Sequence, residues 1–286
     1  MSEIFVFSLH GLAYAGLLFL VSAGLTLIFG MMNVLNFAHA AMYMLGAYFS
    51  YTLVTATGLF WPSIIFCPLL LFVLGALIER FLLRRVHIHG HLHELLLTFG
   101  LAYIITELVK WIWGNYPLAV NITGFLAQSI HLFGILYPVY RLFVIFCAIM
   151  VGLVMALILY KTRLGIVLRA SVNDGEMVDA LGINVPFVLT GVFAFGSALS
   201  GFAGVIAGPL LSTYPGMAHE ILVDAFVVIV VGGFGSLGGA VVASLLIGEL
   251  QSFGVLLFPK LSLALVYLLM AGILIVKPSG LFGAKQ

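Results

Sequence analysis

Long apolar runs broken by short polar or glycine-bearing turns dominate the chain. A helix needs about 20 mainly apolar residues to cross a bilayer core of roughly 30 Å. Eight runs meet or approach that length: 6–30, 40–58, 63–83, 95–113, 142–160, 186–208, 239–257 and 261–276. A ninth, 221–231, is too short to span untilted and predicts a half-helix or broken helix. Its far end meets Gly232-Gly233-Phe234-Gly235-Ser236-Leu237-Gly238-Gly239, where a regular helix is weakened. The runs are continuously apolar, without the alternation of a membrane β-barrel. The pattern predicts an all-α polytopic membrane protein. It forms a single transmembrane domain over 1–286, with eight or nine spanning helices and a broken or half-helix near 221–238.

Composition removes the soluble alternatives. Of 286 residues, 64% are hydrophobic and 7% are charged, against roughly 45–50% and 25% in soluble domains. So few charges cannot cover a water-facing surface. The same apolarity excludes disorder, and a net charge of +1 without a basic patch excludes nucleic acid as a partner. Cys67 and Cys147 sit inside apolar runs, which argues against a disulfide framework and a Cys-based zinc site.

Cations set the expected orientation. Arg80, Arg84 and Arg85 close the third run, Lys161, Arg163 and Arg169 follow the fifth, and Lys277 and Lys285 follow the last, together eight of the eleven Lys and Arg. Cytoplasmic loops carry the excess of Lys and Arg, so these three regions are predicted inside. Lys110, Arg141 and Lys260 fall to the other side. The N-terminus has Glu3 and no cation before Arg80, lacks the basic start of a signal peptide, and is predicted outside. An outside start and an inside tail require an odd number of crossings, and 221–231 is the natural ninth.

One polar island stands out. Residues 161–185 hold six of the 21 charges: Lys161, Arg163, Arg169, Asp174, Glu176 and Asp179. Interleaved Leu164, Ile166, Leu168, Met177 and Leu181 predict a short amphipathic helix at the cytoplasmic face, with Gly182 as its stop. Such a segment docks a soluble partner, lies on lipid headgroups or is an ordinary solvated loop.

Several segments carry a resemblance. Gly165-Ile-Val-Leu-Arg169-Ala170-Ser-Val-Asn-Asp174-Gly-Glu-Met177-Val-Asp-Ala-Leu181-Gly182-Ile183-Asn184 resembles the cytoplasmic loop of the branched-chain amino-acid permease family, membrane subunits of ATP-binding-cassette importers. Gly24-Leu25-Thr26, Gly30 and Asn36-Phe37-Ala38-His39 resemble that family's motif after the first helix, although Ala40 stands where a Gly usually follows the His. Thr98-Phe99-Gly100-Leu101, the run from Val231 to Ala240, Gly248-Glu249 and Lys277-Pro278-Ser279-Gly280-Leu281-Phe282-Gly283 extend the match, in order, over nearly the whole chain. The resemblance implies three kinds of partner besides membrane lipid: a second homologous permease subunit, two cytoplasmic ATP-binding subunits and a substrate-binding protein outside the membrane. It places the chain in a bacterial inner membrane. It also implies ATPase coupling through Arg169, Ala170, Asp174, Leu181, Gly182 and Ile183. A translocation pathway would involve Asn36, His39, Gly233, Gly235, Gly238 and Glu249.

The remaining motifs are weighed on their chemistry. Gly233-Phe-Gly235-Ser-Leu-Gly238 fits the spelling of a dinucleotide turn, but no βαβ unit surrounds it. No phosphate-cradling G-x-x-x-x-G-K-[ST] occurs, so any ATP is hydrolysed elsewhere, and Ser236 lacks the glycine context of a nucleophile elbow. Irregular backbone at membrane depth is tolerated where it is buried in protein or lines a cavity, which suits the glycine turn. His87, His89, His91 and His93 alternate as metal ligands would, but they sit at the headgroup boundary and Gly90 interrupts them, so no metal is assigned. Asn33, Asn36 and His39 form either a bare turn or a polar break that dips into the bundle. Glu249, about ten residues into its run, reads as the deepest charge and should face the bundle interior or be protonated. Glu107 and Lys110 are spaced to neutralise each other. Gly196, Ser200, Gly204 and Gly208 form a ladder that admits a close neighbouring helix, and Gly235, Gly239 and Ala243 repeat it.

The chain therefore reads as a permease subunit without enzyme activity or cofactor. The resemblance implies branched-chain or related small amino acids as its solutes, with urea and short amides as the other solutes of similar permeases. The rival class is an ion-coupled secondary transporter, for which Glu249 is the one intramembrane acid on offer.

Overall fold

The computed structural model describes residues 2–132 and 135–283. Among them are twelve α-helices: α1 (Ser2–Met32), α2 (Ala38–Thr57), α3 (Trp61–Ile78), α4 (Arg84–His87), α5 (His91–Trp113), α6 (Val139–Lys161), α7 (Arg163–Asn173), α8 (Gly175–Ala180), α9 (Val185–Leu211), α10 (Met217–Gly232), α11 (Leu237–Leu257) and α12 (Ser262–Val276). The stretches Ile4–Met32, Trp61–His87, His91–Trp113, Val139–Lys161, Val185–Leu211 and Leu237–Leu257 are each long and apolar enough to cross a membrane.

The shorter α2, α10 and α12 complete the bundle. At about 1.5 Å per residue the 16 residues of α10 reach about 24 Å, short of a roughly 30 Å core, as expected of a half-helix. It begins at Met217, ahead of the apolar run that announced it. The run 261–276 falls short too, since α12 has 15 residues.

Apolar helices divide into two kinds by what surrounds them. The middle of α1 is enclosed, with Leu18, Leu20, Val21, Ala23 and Ile28 inaccessible, and α2 is buried over most of its length. A helix that is apolar all round belongs in a core or in lipid, and these two occupy the core. The outward faces of α3, α5 and α6 present Ile65, Phe66, Ile104, Trp111, Phe146 and Leu153 to the surroundings. That much exposed hydrocarbon suits a bilayer as solvent.

α9 is the axis on which α1, α2 and α3 pack. A methyl placed on Gly204 would sit 1.8 Å from the Tyr43 carbonyl oxygen, and one on Gly46 would sit 2.1 Å from the Gly201 carbonyl oxygen. Gly196 approaches Gly24 and Ile28 of α1 in the same way, and Gly75 of α3 faces Ser197. The ladder read from the sequence thus joins helices within this chain. Ser200 adds a hydrogen bond, donating to the His39 carbonyl at 2.6 Å.

The helix ends sort to two sides. The cytoplasmic ends predicted for α1, α3, α6 and α9 line one groove with α7, through Leu27, Phe72, Ile158, Leu164 and Phe187. α11 runs antiparallel to α1, with Gly235 against Gly30 and Glu249 against Gly11. At the far side Leu118 pairs with Thr213, and the connection 114–138 carries a hairpin of β1 (Ser129–Leu132) and β2 (Ile135–Pro138), paired from Ser129↔Pro138 to Leu132↔Ile135. An all-α reading had no place for this hairpin. Its strands are four residues each and lie outside the apolar runs that carried the prediction.

Replacing Gly204 with Val should lower stability by more than about 3 kcal/mol, because backbone rather than a movable side chain blocks the new atoms. Gly100→Ala, where nothing lies within 4 Å, should be neutral or stabilise by up to about 1 kcal/mol. Thermal unfolding of the detergent-purified protein compares the two.

Candidate functional site

The polar island folds as two helices rather than one. Thr162 caps α7 by accepting from the Gly165 amide at 3.3 Å, Asp174 caps α8 by accepting from Met177 at 2.9 Å, and Asn184 caps α9 by accepting from Phe187 at 2.9 Å. Asp174 both ends α7 and starts α8, which divides the single amphipathic helix expected from sequence. Gly182 adopts φ +85° just past α8 and serves as the stop, and the Ile183 amide returns to the Val178 carbonyl. α7 is seated on α6: Gly165 touches the Leu159 backbone, and the Arg169 guanidinium donates to the Leu159 carbonyl.

The expected coupling residues therefore split by role. Arg169 ties α7 to the backbone of α6, Asp174 caps α8, and Ala170 and Ile183 are half-buried. Leu181 is exposed together with Ile166, Met177 and Phe187. These apolar side chains stand out from a base that is otherwise hydrogen-bonded and capped.

Between α1 and α2 the chain breaks inside the bundle. Asn33 takes φ +53° at an exposed position, whereas Asn36 and His39 are buried. His39 Nε2 lies 3.0 Å from the Val21 carbonyl oxygen. A carbonyl only accepts, so Nε2 carries the proton and Nδ1 is left as a bare acceptor. Neither that nitrogen nor either amide atom of Asn36 has a partner among the described residues. Buried polar groups left unpaired cost free energy, and a site that meets a polar solute or water is where such a cost is tolerated.

The glycine turn is a packed junction. Gly233 takes φ +98° with the Gly283 amide against it, Gly232 abuts Gly239, and Gly235, at φ +73°, abuts Gly30. The tail locks on through Leu281 N–H to the Val231 carbonyl and Phe282 N–H to the Gly232 carbonyl, at 2.8 and 2.9 Å. Gly238 has open space around it. A cavity of about 270 Å³ lined by Thr26, Gly30, Tyr160, Arg169, Asn173 and Gly235 brings a coupling residue and a turn glycine together. Glu249 is not part of this group. It is partly buried beside Ser8, 3.3 Å away, and Gly11, about 28 Å along α1 from Gly30.

The family described as "Branched-chain amino acid transport system / permease component" matches residues 7–276. This chain belongs to that family. It is 27% identical to the high-affinity branched-chain amino acid transport system permease protein BraD of Pseudomonas aeruginosa, over 97% of this chain and 95% of that protein. It is 25% identical to LivH of Escherichia coli, a protein of the same description, over 100% and 99%. The probable branched-chain amino acid transport permease protein LivH of Methanocaldococcus jannaschii is 28% identical over 94% and 90%. No solved structure matches. The chain is a membrane permease component and not an enzyme.

The permease holds buried acids that the sequence reading passed over. Glu79 and Glu94 are 2% and 1% exposed, more enclosed than the half-buried Glu249. Glu79 opens a π-helical turn, Glu79–Leu83, and accepts from Arg84 at 3.2 Å and from Thr190. Arg84 also donates to the Pro186 carbonyl at 2.7 Å, so α3 is lashed to the start of α9 just after the polar island. Glu94 takes both His87 and His91, while His89 and His93 have ring centroids 5.6 Å apart. The helical 87/91 and 89/93 register is interrupted at Gly90, with φ +93°, and His87 and His91 serve as partners of a carboxylate. Glu107 and Lys110 pair at 2.7 Å on an exposed face, as their spacing implied. A reader of sequence had signals for these acids in the close succession of Glu79, Arg80 and Arg84 and of His91 and Glu94, each at the edge of an apolar run.

Arg84→Ala should cost about 2–3 kcal/mol, less than the roughly 3–5 of a fully buried pair, because Arg84 is 39% exposed. Arg84→Lys should recover only part, since a point charge cannot reach Glu79, Thr190 and Pro186 together. Thermal denaturation of the purified permease measures both.

Proposed function

We propose that this permease is one half of the pore of an ATP-driven importer of branched-chain or related small amino acids in a bacterial inner membrane. A second homologous permease completes the pore, two ATP-binding subunits dock on α7 and α8, and a substrate-binding protein delivers the solute from outside. The supporting observation is the α7–α8 module. It exposes Ile166, Met177 and Leu181 beside mixed charges, with Phe187 exposed at the start of α9, while its base is fixed to α6 and α9. A module built in this way passes a push from a soluble partner into the membrane helices as rigid-body movement.

The orientation follows from the charges. Arg80, Arg84, Arg85, Lys161, Arg163, Arg169 and Lys277 belong to the end that carries α7 and α8, and Lys110, Arg141 and Lys260 belong to the other. Lys285 lies outside the described residues. The positive-inside bias puts α7 and α8 in the cytoplasm, the N-terminus outside and the tail inside. The cavity holding Arg169 and Gly235 then lies where movement of α7 would reach the glycine turn and α1. Asn36 and His39, buried with unpaired polar atoms, supply the pathway's polar positions.

Two measurements test this reading. Leu181→Asp and Met177→Asp should leave the thermal midpoint within the small range of surface changes, about ±0.5 kcal/mol. They should nevertheless abolish co-purification of the ATP-binding subunits and the stimulation of their hydrolysis by the loaded binding protein. Full stimulation in both variants would contradict docking at α8. Native Cys67 and Cys147 are buried, so a membrane-impermeant maleimide reports introduced cysteines. In right-side-out vesicles Tyr116→Cys should label and Glu176→Cys should not, and the reverse pattern would invert the topology.

A further inference from the structure

We infer that the apolar groove beneath α7 holds one acyl chain of an anionic phospholipid, drawn from the membrane leaflet on the α7 side, with the headgroup phosphate at the Arg84 and Arg163 guanidinium groups. A membrane-spanning chain is all this requires; the importer reading is not part of it.

The groove runs between α1, α3, α6 and α9 with α7 as its roof, and it encloses about 360 Å³. Its wall on α9 extends from Phe187 to Phe195, about 12 Å of helix, most of one leaflet's half of a roughly 30 Å core. No side chain that lines it carries a nitrogen or an oxygen. Water occupies a cavity only where it finds two to four polar partners, so this one excludes water. Left empty, it would deprive Leu27, Met155, Leu168 and Val192 of contacts on one side. Hydrocarbon is the occupant that its chemistry admits.

The rim decides where that hydrocarbon comes from. Phe72 is exposed on α3, and Leu164 and Phe187 are exposed where α7 and α9 begin, so the groove is continuous with the apolar surface that meets the bilayer. The same end bears cations. Arg163 stands next to Leu164, is exposed, and its guanidinium has no partner among the described residues. Arg84 donates to the Pro186 carbonyl and the Thr190 hydroxyl, and these two residues are the chain neighbours of Phe187 and Gly191 in the groove wall. All its bonds run through Nε and Nη2, which leaves Nη1 without a partner among the described residues. A guanidinium binds phosphate oxygens through its planar fork, and anionic lipids gather at basic segments beside the membrane. Two guanidinium groups at the mouth of a dry groove therefore complement an anionic headgroup that carries an apolar tail. α7 covers that tail with Leu164, Val167 and Leu168, so the lipid forms part of the seat on which α7 rests.

The test purifies the permease, alone and with its partner subunits, and follows bound lipid by native mass spectrometry. After detergent washing, the protein is offered equimolar phosphatidylglycerol and phosphatidylcholine with identical acyl chains. Phosphatidylglycerol should stay on each copy of the permease with a preference of at least about tenfold, as two cations beside its phosphate require. Arg163→Gln should lower that preference about fivefold. Gly191 lines the groove and an added Cβ there meets nothing within 4 Å, so Gly191→Leu places a side chain where the acyl chain lies. That variant should retain at least about tenfold less lipid, with no fall in its thermal midpoint, while Gly191→Ala keeps the lipid. Equal retention of the two lipids, an unchanged preference in Arg163→Gln, or full retention in Gly191→Leu overturns the inference. Retention by the permease alone that disappears in the complete complex would give the groove to a protein partner and overturn it as well. No outcome depends on uptake or on ATP, so a failure of the importer reading is seen separately.

Discussion

The fold depends on backbone meeting backbone along α9. Between apolar helices in lipid, hydrophobic burial gives little net attraction, so close van der Waals contact has to hold the bundle. The absence of side chains at Gly46, Gly201 and Gly204 brings α2 onto α9, and Gly24 and Gly196 do the same for α1. Once these helices touch, α1 is enclosed, and its other faces become the floor for α6, α10 and α11. The break between α1 and α2 is held at the same place, because Ser200 binds the His39 carbonyl and His39 binds Val21.

Polar groups follow from that frame. Lipid-facing sides of α3, α5 and α6 carry hydrocarbon, while Glu79 and Glu94 are buried under side chains that pair with them. Glu79 is sealed by Arg84 and Thr190 and Glu94 by His87 and His91, while the half-buried Asp224 accepts from Tyr14. The first pair joins α3 to the start of α9, next to the α7–α8 module. The structure thus has one continuous hard path from the exposed apolar side chains of α8, through the Asn184 cap, into the helix on which α1, α2 and α3 rest.

Much of this was legible in the chain because membrane helices announce themselves by length and composition. The apolar runs located the spans, the shortness of 221–231 announced a helix that cannot cross by itself, and the Gly196–Ser200–Gly204–Gly208 spacing announced close packing. The division of 161–185 at Asp174 was hidden, since one residue caps two helices and the amphipathic pattern runs through both. The hairpin was hidden because its two strands are short. Glu79, Glu94 and Asp224 were passed over for a different reason: a charge at the edge of an apolar run looks solvated until tertiary contacts cover it. Glu249 drew attention by its depth along the sequence, yet Ser8 and an open side leave it less enclosed than the acids near the turns. Of the expected site residues, Arg169 and Gly235 meet around one cavity, while Glu249 lies far along α1 from them.

The central claim is that this permease moves its solute on the strength of ATP hydrolysed by subunits docked at α7 and α8. The most direct measurement is leucine uptake into proteoliposomes holding the full transporter, with ionophores collapsing every ion gradient. The account predicts uptake that requires ATP on the side of α7 and α8 and stops when the ATP-binding subunits are omitted. Uptake by the permease alone, driven by a proton or sodium gradient and indifferent to ATP, would contradict it.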